Sequence, residues 1–407
     1  MVRKFPEAKQ LQFHNLEGHT MRHPFAMCDL DDYEVRVDVC ATLTPPATPP
    51  MARWRNLALV FDVHPRVKDD PMAKSSEVHE RNFWRLSWIA HNTMLAQGKL
   101  YVFIVGIYGR QARLYRIDRS GGICSPLFNY ASQPHILHEF LWRFVHPKFD
   151  GCVVLGDDPA VKQGSHADRV RVQELVKQQD PEYTYTAENK KAIRRVTATR
   201  NDGTKATYLV YKLLYTESYL FGRATTVWEA FALDSDDKAT GTRVVIKEAW
   251  RHTSSPSEVR FYDAMREAAE ADESGAISLA GIVRLECCSD LGGREAEEPS
   301  LGASRPGYRT MRSTFGREVH ERDFTRMVFA TVGTKLEDFK CTYDMVRACR
   351  DAVEGNDIRS CCARTQNIDH VHRSPTSLPV WCHPSGHQPR QCHDGKKSRR
   401  DHQRLYT

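Results

Sequence analysis

Apolar and small polar residues interleave from Phe221 to Phe231 around Gly222, and Thr242 to Ile246 is rich in β-branched residues, so both stretches predict strands. Asp234 to Gly241 between them predicts a turn. The result is a twisted hairpin with a glycine at its entry and Lys247 at the far end of its second strand. Ser255-Pro256-Ser257-Glu258 then predicts a helix start: a cap, a proline at the first position and a carboxylate at the third. Glu258, Tyr262, Met265 and Ala269 share one face of that helix.

The chain ahead of this hairpin has its own pattern. A proline-rich link, Thr42 to Pro50, leads to a predicted strand at Leu57 to Val63 and a long amphipathic helix at Ser76 to Gln97. In that helix Phe83, Leu86, Ala90 and Met94 form an apolar stripe, widened by Trp84 and Trp88. Strands at Leu100 to Tyr108 and Ala112 to Asp118 follow, turned by Gly109-Arg110-Gln111, then Gly121-Gly122 and a helix at Pro134 to Val145. The pattern predicts an α+β region over residues 1–180, with Trp54, Trp84, Trp88 and Trp142 in its core. Composition turns polar from Asp180 to Thr204, where Asn201-Asp202-Gly203 predicts a hairpin turn, and Thr207 to Tyr215 predicts the strand entering a second unit, residues 183–355. Gly292 to Pro306, rich in glycine, glutamate, serine and proline, predicts a surface loop or a disordered insertion within it. Asn356 to Thr407 has no periodic pattern and few large aliphatics, and predicts a disordered tail.

Composition narrows the setting. The longest apolar run, Leu100 to Tyr108, is too short to cross a bilayer, and Met1 to Gln10 has no signal-peptide core, so no membrane partner is expected. A net charge of +6 gives little reason to expect nucleic acid. Twelve scattered cysteines without an export signal predict reduced thiols, and with them an intracellular protein of cytoplasm or nucleus.

A glycine at the entry of a hairpin lets backbone N–H groups approach a polyphosphate, and a lysine on the next strand supplies a point charge to its oxygens. Glu258 has two readings that do not exclude each other: it completes a capping box with Ser255, or it meets a cation, Lys247 being the nearest strand lysine. The segments Gly222-Arg223-Ala224-Thr225-Thr226-Val227-Trp228, Val245-Ile246-Lys247-Glu248-Ala249-Trp250-Arg251 and Ser257-Glu258 together resemble the fungal-type protein kinases, a divergent branch of the protein kinase fold. The resemblance continues through Arg322 to Val328, like the strand before the hinge, Gly333 to Phe339, like the hinge, and Met345 to Gly355, like the helix before the catalytic loop.

The resemblance implies a kinase-like N-lobe and ATP with Mg as its ligand. It gives Gly222, Arg223, Thr225, Thr226 and Val227 the phosphates to cover, Lys247 the phosphates to hold, Glu258 the task of orienting Lys247, and backbone near Thr331 and Gly333 the adenine. Residues 1–180 match the segment that precedes the kinase domain in the same fungal proteins. The departure is Ala224, where this family commonly has another glycine.

No catalytic residue and no metal ligand is assigned. His320-Glu321-Arg322-Asp323 looks like a catalytic loop, but it precedes the hinge and lacks the asparagine about five residues on. Asp62, Lys68 and Asp69 lack the spacing of a nuclease metal site, because Pro65 breaks the strand. Cys361, Cys362, Cys382, His383, His387, Cys392 and His393 are potential zinc ligands without a regular spacing. A second reading of the tail is a shifted frame. With permitted codons, His383 to Lys396 read one nucleotide later spell Ile-His-Arg-Asp-Ile-Ser-Pro-Gly-Asn-Val-Met-Met-Gly, this family's catalytic loop. A splice donor inside the Gly355 codon and an acceptor at His372-Arg373 would bring translation into that frame. The sequence thus predicts a protein whose parent activity is ATP-dependent Ser/Thr phosphorylation and which, as written, is inactive, with a pseudokinase-like interaction protein as the alternative and the protein substrate or partner unspecified.

Overall fold

In the computed structural model the described residues are 5–25, 34–43, 53–73, 76–147, 154–179, 184–200, 203–272, 279, 282–292, 308, 310, 321–333, 339, 341–350, 353 and 381–382. They form a mixed α+β structure built on two large sheets.

The first half of the chain runs β1 (Gln12–Asn15), β2 (Thr20–Arg22), β3 (Glu34–Arg36), β4 (Val39–Thr42), β5 (Leu59–His64), α1 (Glu77–Gln97), β6 (Val102–Tyr108), β7 (Gln111–Asp118), β8 (Gly121–Cys124), β9 (Phe128–Asn129) and α2 (Pro134–Val145). The first sheet has the order β1-β4-β5-β6-β7-β8, with β9 also on β7 and Trp381–Cys382 beside β8; β2 and β3 pair separately. β5 and β6 are parallel, and α1 is the crossover between them. Ser76 caps α1 by accepting from the His79 N–H, and Gly98, at φ 71°, closes it with its N–H on the Met94 carbonyl. Leu86, Ile89, Ala90 and Met94 of α1 are buried with Val60, Val102 and Ile104, each large side chain contributing about 1.5–3 kcal/mol. Leu86→Ala would remove about 2–5 kcal/mol of this.

The second half runs β10 (Val161–Gln163), α3 (His166–Gln179), α4 (Ala187–Ala192), β11 (Arg194–Thr199), β12 (Lys205–Thr216), β13 (Thr226–Leu233), β14 (Ala239–His252), α5 (Glu258–Ala271), β15 (Leu285–Asp290) and β16 (Arg322–Phe329), with a further helix at 342–350. The second sheet is antiparallel with the order β10-β11-β12-β13-β14-β16-β15. Alternate residues of β12 serve two cores. Leu209 and Tyr211 pack with Phe231 and with Val172 and Val176 of α3, whereas Tyr208 and Val210 pack with Trp228, Ile246, Val328, Phe25 and Leu95. The second core holds residues from both halves of the chain, so the halves share an interior.

Several expectations shift. The Gly109-Arg110 turn is tighter than foreseen, since Gln111 already pairs with Tyr108. Gly121-Gly122 lies within β8. Trp54 is buried, as expected of a core residue, but Trp84 and Trp142 are exposed; Trp142 stacks on His146 at 3.6 Å between ring centroids. β13 begins at Thr226 instead of Phe221, and β14 extends to His252. β10 and α3, which composition places in residues 1–180, belong to the second sheet and its core. Asp323 sits on β16, buried and paired with Arg251 at 3.2 Å, which removes the catalytic-loop reading of its neighbourhood. Asp62 pairs with Arg85 at 2.7 Å and His64 at 2.8 Å inside the first sheet, a structural network and no metal centre. The insertion after Gly292, the shifted-frame segment and, apart from Trp381–Cys382, the tail with its proposed disorder and zinc ligands lie outside the described residues. Among the described residues no helix is long and apolar enough to cross a membrane.

Candidate nucleotide site

Lys247 stands in β14 between Val227 of β13 and Met327 of β16. α5 follows after a short connection and brings Glu258, its first residue, to the lysine. The Lys247 Nζ donates to both Glu258 carboxylate oxygens, at 2.8 and 2.7 Å. Both side chains are partly exposed, so the pair is open to a ligand and the net stabilisation of such a pair is at most about 1 kcal/mol. Its value is positional: it fixes a cation on the second strand of the hairpin.

The capping-box expectation fails here. The N-cap is Ser257, with no side-chain cap bond, and Ser255 lies outside the helix with its carbonyl accepting from Arg251 at 2.8 Å. The Glu258 carboxylate is taken by Lys247, and at the helix N-terminus it is also favourably placed in the helix dipole. Tyr262, one turn on, meets the Phe329 ring at 5.9 Å, and Met265 and Ala264 are buried, which anchors the helix to the end of β16.

Residues 217–225 form the loop between β12 and β13, and Gly222 takes a φ of 137° that side chains rarely adopt. Ala224 is at φ 44° and buried, so the residue where a glycine was expected sits in a left-handed conformation costing about 1–2 kcal/mol. Two of the loop N–H groups are committed within the protein. Gly222 donates to the Arg119 carbonyl at 3.1 Å, and Thr225 to the Glu217 carboxylate at 3.1 Å. The Arg223 carbonyl accepts from Trp250 at 2.7 Å, and its guanidinium lies 3.9 Å from Glu258. Thr226, at the head of β13, is buried against Thr216, with hydroxyls 3.3 Å apart, and Val227 lies opposite Lys247. Thr331 and Gly333 follow β16 and are exposed; the Thr331 hydroxyl accepts from the Arg284 N–H at 3.4 Å.

The structure therefore gathers Lys247, Glu258, Arg223 and Val227 in one place, leaves Thr331 and Gly333 at the end of the neighbouring strand, and turns the Gly222 and Thr225 amides elsewhere. A lysine held by a carboxylate fits a triphosphate, while the Gly222 and Thr225 amides are engaged with the protein. Among the described residues no cluster of His, Cys, Asp or Glu could hold a metal ion.

A second set of residues escaped the sequence reading. Arg326 is fully buried, its guanidinium 2.6 Å from Asp158 and 2.6 Å from Glu248. Tyr308 donates to Asp158 at 2.7 Å, and the Trp228 indole to Glu248 at 3.1 Å. Burial pulls the Arg326 guanidinium down, but the Asp158 and Glu248 carboxylates outweigh it and hold it above its ordinary value. Arg194, also buried, lies over the Trp228 ring at 4.3 Å and donates to the Leu95 and Ala96 carbonyls at the end of α1. Desolvation lowers Arg194 to about 10. The available signal was a charge in the middle of an apolar strand, as in Arg322 to Phe329, which calls for a buried counter-charge.

The fungal protein kinase family model matches residues 53–359, and the chain belongs to that family. The match takes in the second sheet and, in the first half, everything from β5 to α2. Neither the curated proteins nor the solved structures contain a match.

Proposed function

We propose that β12, β13, β14, β16 and β15 with α5 are the nucleotide lobe of a protein kinase, holding ATP with Mg, and that its parent activity is transfer of the γ-phosphoryl group to a Ser or Thr hydroxyl. The observation that carries this is the two-oxygen pairing of Lys247 with Glu258, formed between a strand and the following helix of a sheet in a fungal protein kinase chain. Lys247 would hold the phosphates, Glu258 would keep it in place, and the exposed backbone from Thr331 to Gly333 would meet the adenine. Residues 356–407 as written carry neither an aspartate and asparagine at catalytic-loop spacing nor a recognisable magnesium-binding motif, so this chain is a poor catalyst. A titration of the full chain with a fluorescent ATP analogue tests the site: saturable binding lost on Lys247→Met supports it, and binding indifferent to Lys247 refutes it.

A second reading, a non-catalytic interaction protein, is favoured by the commitment of the Gly222 and Thr225 amides to protein acceptors. It predicts no nucleotide binding at millimolar ATP in the same titration.

A further inference from the structure

The loop over the proposed nucleotide site is fastened at its tip to the first half of the chain. Leu220 is buried in the core that α1 shares with the first sheet, alongside Leu86, Ile89 and Ala90. Phe221 packs on the same core, and its ring stacks on Phe83 of α1 at 6.1 Å with an interplanar angle of 20°. Arg119, between β7 and β8, holds the loop in both directions: its carbonyl accepts from the Gly222 N–H at 3.1 Å, and its guanidinium donates to the Leu220 carbonyl at 3.3 Å. That guanidinium is buried, and desolvation lowers it to about 10; among the described residues it has no carboxylate within ion-pair distance. Further along, Ala224 is buried with Leu100 and Tyr101 of the first half and with Trp250 of β14. Three successive loop residues are therefore seated on the first half of the chain, and Ala224 is wedged between that half and β14 of the nucleotide lobe.

The seating has a chemical consequence. A phosphate loop binds by turning backbone N–H groups toward the anion. Here the Gly222 amide points at Arg119, the Thr225 amide is capped by the Glu217 carboxylate, and Arg223 is drawn onto Trp250 and toward Glu258. The loop as fastened holds two of its amides, those of Gly222 and Thr225, on protein acceptors, one of them a carboxylate.

We propose that the first half of the chain is an in-cis clasp on the phosphate loop: Phe83 and Arg119 hold Leu220, Phe221 and Gly222 in a conformation that does not bind nucleotide, and ATP binds when the tip is released. The proposal rests on Lys247 and Glu258 marking the nucleotide site. Apparent affinity is then the intrinsic affinity multiplied by the fraction of molecules with the loop free, so loosening the clasp tightens binding. Loss of one aromatic stack shifts that fraction by roughly two- to tenfold.

The test uses the full chain and a fluorescent ATP analogue with Mg, comparing wild type, Phe83→Ala and the milder Phe83→Leu, each with and without Lys247→Met. Phe83 lies on α1, outside the proposed nucleotide site. The expected result is a dissociation constant two- to tenfold lower in the Phe83 variants, faster amide exchange at Leu220 to Gly222, and loss of binding with Lys247→Met. If Phe83→Ala does not fold, Phe83→Leu gives the same comparison with the apolar face of α1 retained. Binding that depends on Lys247 but is unchanged or weakened in the Phe83 variants overturns the clasp and leaves the site standing. Absence of binding in every form overturns both.

Discussion

Arg326→Met tests whether the two halves are held together by a buried charge cluster. The guanidinium is fully buried and faces Asp158 at 2.6 Å and Glu248 at 2.6 Å; the Asp158 side chain is 2 % exposed and that of Glu248 16 %. Methionine fills most of the arginine stem but leaves both carboxylates without a cation. Asp158 keeps two neutral donors, the Tyr308 hydroxyl and the Ala160 N–H at 2.9 Å, and Glu248 keeps the Trp228 indole, which softens the loss without cancelling a buried negative charge. Breaking such a pair from one side costs about 3–5 kcal/mol, a large share of a typical folding stability. Most of that loss is the unpaired charge itself, so the triple variant Arg326→Met/Asp158→Asn/Glu248→Gln should recover about half or more of it. The assay is urea unfolding followed by tryptophan fluorescence, to which Trp228 contributes from within the cluster. A single variant that loses less than about 1 kcal/mol, or a triple variant as unstable as the single one, would refute the reasoning.

His91 is buried on α1, and burial first, then the Arg119 and His23 charges, push its pKa well below the ordinary value. Unfolded His91 takes up a proton below about pH 6.5 and the folded form does not, so stability should fall there by up to about 1.4 kcal/mol per pH unit; His91→Gln should flatten that slope in unfolding curves from pH 7 to 5. Ala224→Gly relieves a φ of 44° but loses a buried methyl and gains backbone freedom, terms of about 1 kcal/mol each and opposite sign. Its stability should therefore stay within about 1 kcal/mol of wild type, whereas a loss above about 2 kcal/mol would mean that the methyl decides. Sequencing the transcript across Glu354 to Ser374 should recover a spliced form whose frame encodes the catalytic loop; genomic sequence without a GT donor and AG acceptor in register would sink that idea.

Local periodicity was enough for the elements whose partners are close in sequence. The helix at Pro134 to Val145 has the predicted bounds, and α1 starts one residue after its predicted start and ends where predicted. The hairpin of β13 and β14 followed from β-branched residues flanking a turn. Its entry did not, because the alternation from Phe221 onward looks like strand whether it pairs with β12 or packs against α1. Phe221 and Phe83 lie far apart in the chain, and no pattern within one strand reveals such a partner. The capping box failed for a related reason: Ser255 and Glu258 have the right spacing, but Lys247 competes for the same carboxylate and prevails once the sheet places it there. The tryptophans show the limit of composition, since residue type predicts burial for Trp54 and fails for Trp84 and Trp142.

Successive residues of a strand point to opposite faces, and at β14 this puts two roles side by side. Lys247 turns toward α5 and Glu258, and Glu248 turns the other way toward Arg326, Asp158 and Trp228. Asp158 belongs to the segment between α2 and β10, so the strand that carries the proposed phosphate-binding lysine is tied to the rest of the chain through the very next residue. The loop above it is tied to α1 and to Arg119. The first half thus reaches the site from two directions with different strengths. The Arg326 cluster is a buried, charge-assisted contact that should open only with unfolding, whereas the Phe83 stack, two hydrogen bonds to Arg119 and the burial of Leu220 are together worth about 3–7 kcal/mol, comparable with the binding free energy of a millimolar to micromolar ligand. A fixed attachment beneath the strand and a releasable one over the loop would let the loop move while Lys247 and Glu258 stay in register.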